Sequence, residues 1–502
     1  MSGDRITPSF DGKIIFLTGG SGFLGKVIIE KFLRCMPNLG GIWLLVRTKK
    51  GIDPQERLPV IFQNVIFDSV KKERGLDYMM KKVRAIPGDC SLLELGMSKE
   101  DRELVANNVN IIYHCAATIR FDEPLKRAAL LNTRGTKLMI DLAKECKKLE
   151  FFGYMGTAYC HLNEKLLLEK EYPPPTDPYK VISACEWLDD DVIDSITPKI
   201  LGDIPNTYAF TKALSESLVM ESMKDIPSVV YRPSIIIPCW NEPIPGWTDN
   251  INGPTGLLIG AGKGVIRTMY CKQDGYGDFL PVDLAVNGII TSTWNFIGNK
   301  DHSKRIWHMV SSAEIKLSWQ EIVDLGRWIV KNKLPLNGVL WYPGGSMKSS
   351  RLHHNIACFL YHWVPAYIID ALLFVLGYPP VLKRVQTRIQ NGFEVFEYYT
   401  NHVWDFDNKN VLYLRAKLTE EETAKYKIDG HNVDIQEYFL NCVRAARLFI
   451  LKETDDTIPA ARRHMKIMWF VDKFCKTTFM LLMIYFVGGW IMRMLFGYSW
   501  ND

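Results

Sequence analysis

Residues 14–25 read Ile-Ile-Phe-Leu-Thr-Gly-Gly-Ser-Gly-Phe-Leu-Gly, and no other stretch limits the fold so sharply. Ile14 through Leu17 predict a short buried strand. Glycines 19, 20, 22 and 25 crowd a turn, and Val27, Ile28, Ile29, Phe32 and Leu33 carry a helical pattern behind it. Strand, glycine turn and helix is the unit with which a doubly wound sheet holds the pyrophosphate of a dinucleotide. Glycine allows the tight turn and close backbone approach, and the helix N-terminus offers free N–H groups to an anion. Two registers fit the same residues, Gly20-x-Gly22-x-x-Gly25 and Gly19-x-x-Gly22-x-x-Gly25.

A chain of 502 residues exceeds one ordinary core, so two domains and a tail are expected. With 47% hydrophobic and 23% charged residues the chain is a folded protein, not a disordered one. The net charge of +5 is small for this length, and the lysines and arginines form no groove-like run, so nucleic acid is not an expected partner. The 11 cysteines are scattered singly without metal-ligand spacing, so no metal is expected. The polar first residues lack the apolar core of a signal peptide, and the catalytic body is expected to face a reducing compartment.

Alternating strands and helices follow, which argues a parallel sheet. The second strand, Gly41-Ile-Trp-Leu-Leu-Val46, ends at Arg47, with Lys49 and Lys50 behind it. NAD-binding sheets place an acid at this point, about 20 residues past the glycines, whereas a basic residue suits the 2′-phosphate of NADP. NADPH is therefore the expected cofactor, with Arg47 at its phosphate. Residues 83–89 predict a third strand ending at Asp89, which reads equally as an adenine contact or a turn aspartate. Residues 109–117 predict a fourth, running into small residues such as Ala116 where backbone can pass close to a cofactor. His114 within it reads as structural. Residues 150–158 predict a fifth.

The chemistry is carried by Asn206-Thr-Tyr-Ala-Phe-Thr-Lys-Ala-Leu-Ser-Glu216. Tyr208 and Lys212 are four apart and share one helix face. A phenol, with reference pKa about 10, is almost wholly protonated at neutral pH. A lysine one turn away stabilises the phenolate and makes Tyr208 a proton donor when hydride reaches a carbonyl. Thr157, at the end of the fifth strand, is the hydroxyl expected beside the reacting oxygen.

Together these residues resemble the extended short-chain dehydrogenase/reductases. Thr18-Gly-Gly-Ser-Gly-Phe-Leu-Gly25 fits that superfamily's G-x-x-G-x-x-G register, which implies that Thr18, Gly19, Gly22, Phe23, Leu24 and Gly25 touch the cofactor, and Tyr208-x-x-x-Lys212 fits its catalytic pair. Longer stretches resemble the alcohol-forming fatty acyl-CoA reductases: Leu44-Leu-Val-Arg-Thr-Lys-Lys-Gly51 with Pro54-Gln-Glu-Arg-Leu58, His114-Cys-Ala-Ala-Thr-Ile-Arg-Phe-Asp-Glu-Pro-Leu125, Asn132-Thr-Arg-Gly-Thr136, Tyr231-Arg-Pro-Ser234, and Gly246-Trp-Thr-Asp-Asn-Ile-Asn-Gly-Pro-Thr-Gly256. The likeness runs over residues 12–453. It implies reduction of a long-chain acyl-CoA to a primary alcohol with two NADPH through a bound aldehyde, and it puts backbone around Pro233 beside the nicotinamide. Where that family has Ser-Thr-Ala-Tyr, this chain has Gly156-Thr-Ala-Tyr159, which leaves Thr157 to serve. Two alternatives stay open: a reductase or epimerase of another lipid, steroid or sugar nucleotide, and a catalytically impaired NADP-binding membrane protein. A phosphate-loop reading of 260–264, with Lys263 on CoA, lacks the following Ser/Thr and a preceding strand.

The expected architecture is an α/β Rossmann-type doubly wound sheet over residues 1–340, with substrate-binding parts from about 230. A smaller, mainly helical domain follows over 341–455, and a basic juxtamembrane segment with an anchor over 456–502. Residues 335–350, rich in Gly, Pro and Ser, read as a linker. Residues 356–376 are apolar but hold His362, Pro365 and Asp370. An aspartate mid-membrane costs roughly 2.5–3.5 kcal/mol, so this stretch reads as a tunnel wall or a one-sided membrane contact, with a span as the weaker alternative. Residues 477–492 carry no charge, between Lys476 and Arg493, and a span over about 474–495 is expected. Arg462, Arg463 and Lys466 upstream place the catalytic body in the cytosol. The endoplasmic reticulum is the expected membrane, with the peroxisome open, and oligomeric state is unspecified.

Overall fold

The structure, a computed structural model, describes residues 3–48, 51–251, 253–311 and 314–496. Lys49, Lys50, Asn252 and the side chains of Met492 and Arg493, all named above, lie outside what it describes.

Seven strands form one parallel sheet: β1 (Ile14–Thr18), β2 (Gly41–Val46), β3 (Val83–Pro87), β4 (Ile111–His114), β5 (Phe151–Met155), β6 (Ser228–Pro233) and β7 (Ile306–Met309). Their spatial order is β7-β6-β5-β4-β1-β2-β3. The chain winds outward from β1 in both directions, which leaves a crevice between β1 and β4 at their carboxyl ends, where such sheets bind ligands. Every residue of β4, β5 and β6 is buried. That is why these strands read as unbroken apolar runs and not as alternation: helices cover both faces of a parallel sheet. The register aligns Thr18 with His114, His114 with Tyr154, and Met155 with Tyr231, bringing three strand ends to one level.

Helix α1 (Phe23–Cys35) follows the glycine turn with Gly22 as its N-cap. Helix α2 (Thr207–Ser222) is capped by Asn206, whose side chain accepts from the Ala209 N–H at 2.9 Å. That cap sets where the helix starts and so places Tyr208 in its first turn.

The chain divides into two compact units. One comprises Met1–Asp249, Gly275–Ser318 and Val395–Asp434, and the other Asn250–Asp274, Trp319–Glu394 and Ile435–Asp502. The consecutive division expected from sequence and this interleaved one differ, because distant segments pair within each unit. In the second unit Thr268–Tyr270 pairs in parallel with Ser346–Lys348. The stretch 335–350 is consequently no linker: Leu336, Val339 and Met347 are buried within that unit. Its glycines and prolines serve turns in a packed segment. The same unit holds α3 (Arg351–Cys358), continued through a π-turn (Phe359–Trp363) into α4 (Val364–Val375), then the start of α5 (Leu382–Asn401) and the long α6 (Ile458–Phe496).

Candidate active site

The glycine turn closes on the carboxyl ends of β1 and β4. Gly19 has φ +75°, and a Cβ there would lie 2.9 Å from the Ala116 nitrogen. A Cβ on Gly25 would meet the Gly19 carbonyl oxygen head-on and lie 2.7 Å from Gly20 Cα. A Cβ on Gly20 would meet only the methyl ends of Leu44 and Ile29. Backbone thus forbids side chains at Gly19 and Gly25, which matches the register Gly19-x-x-Gly22-x-x-Gly25. Such a cradle, closed to side chains at Gly19 and Gly25 and ending on the N-cap of α1, suits a pyrophosphate. Phe23 stacks on Trp247 at 5.5 Å, beside a partly buried Leu24.

Thr18 ties this turn to β4. Its Oγ1 lies 2.8 Å from His114 Nδ1 and accepts the backbone N–H groups of Cys115 and Ala116 at 3.1 and 3.0 Å. His114 Nε2 lies 3.1 Å from the Thr136 hydroxyl, and burial lowers its pKa to about 3. It is a neutral structural link, as its sequence position implies.

At the end of β2, Arg47 is exposed. Arg57 donates to the Arg47 carbonyl at 2.6 Å, and its guanidinium is pulled down by burial and by the neighbouring Arg47 charge. Two like charges held together suit a phosphate, and Arg57 was not singled out from sequence. The signal was a second arginine ten positions on, which the structure places at the start of the helix Arg57–Phe62. Asp89 is placed differently from an adenine acceptor alone: its Oδ1 takes both the N–H and the hydroxyl of Ser91 at 2.9 and 2.8 Å. That is a turn aspartate's bonding. Pro233 closes β6, paired with Met309.

The half-buried Tyr208 is stacked by Phe121 at 5.5 Å. Burial raises the phenol to about 12, and the Thr157 side chain opposes that only in part. Lys212 projects from the same side of α2, is buried, and donates to the Met155 carbonyl at 2.6 Å. Burial lowers its pKa to about 8. The lysine is therefore held by the end of β5, while Thr157 is the side chain that acts on the tyrosine.

Gly156 donates its N–H to the Tyr231 carbonyl at 2.8 Å, and a Cβ on it would sit 3.0 Å from that oxygen and 3.5 Å from Glu216 Oε2. A serine here would face β6 and Glu216, while the hydroxyl on Tyr208 belongs to Thr157.

Beneath these groups lies a charge cluster that sequence reasoning missed. Glu216, one turn beyond Lys212, takes Arg232 Nε and Nη2 at 3.0 and 2.7 Å and lies 2.9 Å from His161 Nε2. Burial would raise the Glu216 carboxyl, yet Arg232 and His161 hold it at about 2. Despite its own burial, His161 is held up at about 10 by Cys160 and Glu216. Cys160, His161 and Glu216 bring metal-ligand atoms within 4.8 Å of one another, but the Arg232 guanidinium already engages both carboxylate oxygens. Asn132, also missed, joins the β4 loop to α2: it exchanges hydrogen bonds with Thr118 and donates to Thr211 at 3.0 Å. Lys263, by contrast, binds the Asn337 carbonyl and Glu453 within the second unit and is a structural residue.

Sheet order, glycine turn and tyrosine–lysine helix define a dinucleotide-dependent reductase of the extended short-chain dehydrogenase/reductase fold. Solved structures agree on the fold. The terminal R domain of the myxalamid PKS-NRPS pathway has a TM-score of 0.57 at 18% identity, covering 88% of this chain and 91% of its own. The reductase domain of a nonribosomal peptide synthetase from Mycobacterium tuberculosis has 0.58 at 16%, covering 89% and 96%. Family models described as Male sterility protein match residues 17–289 and 361–453. Fatty acyl-CoA reductase 1 of Rattus norvegicus is 37% identical over 91% of this chain and 88% of its own length, and that of Homo sapiens 36% over the same shares. Fatty acyl-CoA reductase wat of Drosophila melanogaster is 36% identical over 90% and 86%. The chain belongs to the fatty acyl-CoA reductase family.

Proposed function

We propose that this protein reduces a long-chain acyl-CoA to the primary alcohol, releasing CoA and consuming two NADPH. The observation that carries the reading is the glycine cradle at the ends of β1 and β4, together with Tyr208 and buried Lys212 on one helix and Thr157 acting on the phenol, in a chain with these relatives.

Gly19, Gly22 and Gly25 with the first N–H groups of α1 would hold the pyrophosphate, and Arg47 with Arg57 the 2′-phosphate. Thr18, Phe23, Leu24, Ala116 and Pro233 line the rest, and Asp89 contributes at most one free oxygen at the adenine end. Bound NADPH supplies a hydride to the carbonyl carbon in each of two rounds. Thr157 and Tyr208 hydrogen-bond the substrate oxygen, and Tyr208 gives it a proton as charge develops there. Lys212, a cation one helical turn away, opposes the phenolate that this leaves. The resulting hemithioacetal returns its hydroxyl proton to the Tyr208 phenolate and expels CoA as the thiolate, which leaves the aldehyde between the same two hydroxyls. A second proton from Tyr208 then completes the alcohol. Glu216, Arg232 and His161 keep the Thr157 loop and α2 in place beneath.

Two helical stretches, Arg351–Val375 and Asp455–Ile491, are long and apolar enough to cross a membrane. We assign the part of α6 over about 474–495 as a single span, with the basic residues before it in the same helix and the reductase on the cytosolic side of the endoplasmic reticulum. A long acyl chain partitions into lipid, so an enzyme anchored there meets its substrate. The assignment of 1–340, 341–455 and 456–502 as reductase, helical and anchor regions belongs to this proposal.

The test is product analysis: full-length protein with NADPH and labelled long-chain acyl-CoA should form fatty alcohol. Tyr208→Phe should lower turnover by on the order of 10²-fold or more. Unchanged turnover in that variant overturns the proton-donor assignment.

A further inference from the structure

The helix formed by α3, the π-turn and α4 is amphipathic in the wrong sense for a water-soluble protein. Its inward stripe is His354, Cys358, His362, Ala366 and Asp370, all buried and spaced four apart. Most of these have polar partners: His354 Nδ1 is 3.2 Å from the Thr268 hydroxyl, Cys358 Sγ is 3.7 Å from Gln390 Oε1, and His362 Nε2 accepts the Arg267 N–H at 2.9 Å. The outward face is apolar, with Ile356, Phe359, Ile368 and Leu372 exposed. A soluble helix buries the opposite face.

Asp370 explains how a carboxylate fits here. It accepts the backbone N–H groups of Val381, Leu382 and Lys383 at 3.0, 2.8 and 2.8 Å. The carboxylate thus caps the first turn of α5 and folds α4 and α5 into a hairpin, so it is never offered to lipid. The hairpin's tip is bare and greasy: Phe374, Val375 and Leu376 are 74%, 79% and 69% exposed. Lys383, Arg384 and Arg388 follow and are exposed. The tail is fastened to the same place. Within this unit the Arg267 guanidinium lies 3.3 Å from Asp472 of α6 and 5.1 Å from the Tyr361 ring, while its backbone binds His362. Hairpin and tail leave from one polar joint.

We propose that the α4–α5 hairpin is a second membrane contact, a one-sided wedge whose tip enters the leaflet that α6 crosses. Its cations bind anionic headgroups. The charges that begin at Lys383, seven residues beyond Leu376, limit insertion to interfacial depth, about 5–10 Å. This rests on reading α6 as the anchor. The outer face of α4 then lies against lipid, and this face of the enzyme is fixed on the surface that supplies its acyl chains.

Photocrosslinking of the full-length protein in phosphatidylcholine vesicles, with or without phosphatidylserine, tests it. Para-benzoylphenylalanine placed at Val375 or at Leu482 of α6 should give lipid adducts, and at exposed Trp187 none. Lys383→Glu with Arg384→Glu, or omission of phosphatidylserine, should lower the adduct at 375 several-fold and leave that at 482 unchanged. An adduct at 482 without one at 375 overturns the hairpin alone. Crosslinking of 375 to a second copy of the chain makes the tip a subunit interface and overturns the proposal. Adducts at neither position overturn hairpin and anchor together. Charge-independent yield at 375 refutes the headgroup contact. NADPH-dependent turnover of each sample reports that the protein is folded.

Discussion

Alanine at Gly25 and at Gly20 should have very different consequences for NADPH binding. A Cβ at residue 25 would lie 2.7 Å from Gly20 Cα and 2.9 Å from the Gly19 carbonyl carbon, and closer still to that carbonyl's oxygen. Carbon atoms prefer separations of about 3.5–4.0 Å, so the turn must open by on the order of 1 Å, and no rotamer can relieve a clash with backbone. At residue 20 the obstacles are Leu44 Cδ2 at 2.9 Å and Ile29 Cδ1 at 3.3 Å, both free to turn aside. Overpacking costs about 1–3 kcal/mol, and residue 25 belongs at the upper end. With about 1.4 kcal/mol per tenfold, Gly25→Ala should weaken NADPH up to about 100-fold, and Gly20→Ala by less than about fivefold. Fluorescence titration of NADPH into each full-length variant measures this, with circular dichroism checking the fold. If Gly20→Ala weakens binding as much as Gly25→Ala, the register and the reasoning from backbone contact are both wrong.

Arg57→Ala should raise the KM for NADPH by about tenfold and leave that for NADH unmoved, the loss of one charge-assisted phosphate bond; parallel steady-state titrations decide it. Lys212, lowered to about 8, carries its charge below that pH, so turnover should decline as pH rises through about 8. Lys212→Arg should shift the decline upward, and an unmoved profile assigns it elsewhere. The stability effect has the opposite sense: the buried ammonium costs stability below pH 8, and the cost fades as pH climbs towards its ordinary 10.5. Glu216→Gln strands Arg232 without its charge partner and should cost about 3–5 kcal/mol, read as a lowered urea midpoint. In the parent protein this contribution is present above pH 4.5 and is lost only as pH falls through about 2.

Much of the frame could be read along the chain, because it depends on short-range spacing. Residues 14–25 need only their neighbours to make strand, turn and helix, and Tyr208 with Lys212 need only the pitch of one helix. The same reasoning placed the end of β2 at Arg47 and the neutral His114 in a strand. What failed was reading composition as conformation. The stretch 335–350 has linker composition, yet its Leu336 and Met347 are buried because a strand 76 positions or more away in sequence, Thr268–Tyr270, pairs with Ser346–Lys348.

The sequence by itself determined the doubly wound sheet, the glycine cradle and the placing of Tyr208 and Lys212 on one helix, since each follows from residue type at fixed local intervals. Only the tertiary structure decided which groups meet across elements. It tied Lys212 to β5 and buried Glu216 between Arg232 and His161. It also turned Asp370 from an obstacle to a span into the cap of α5. The physical reason is the same in each case. A buried polar group must find a partner or be excluded, and which partner it finds depends on strand order and helix packing, which local spacing does not encode.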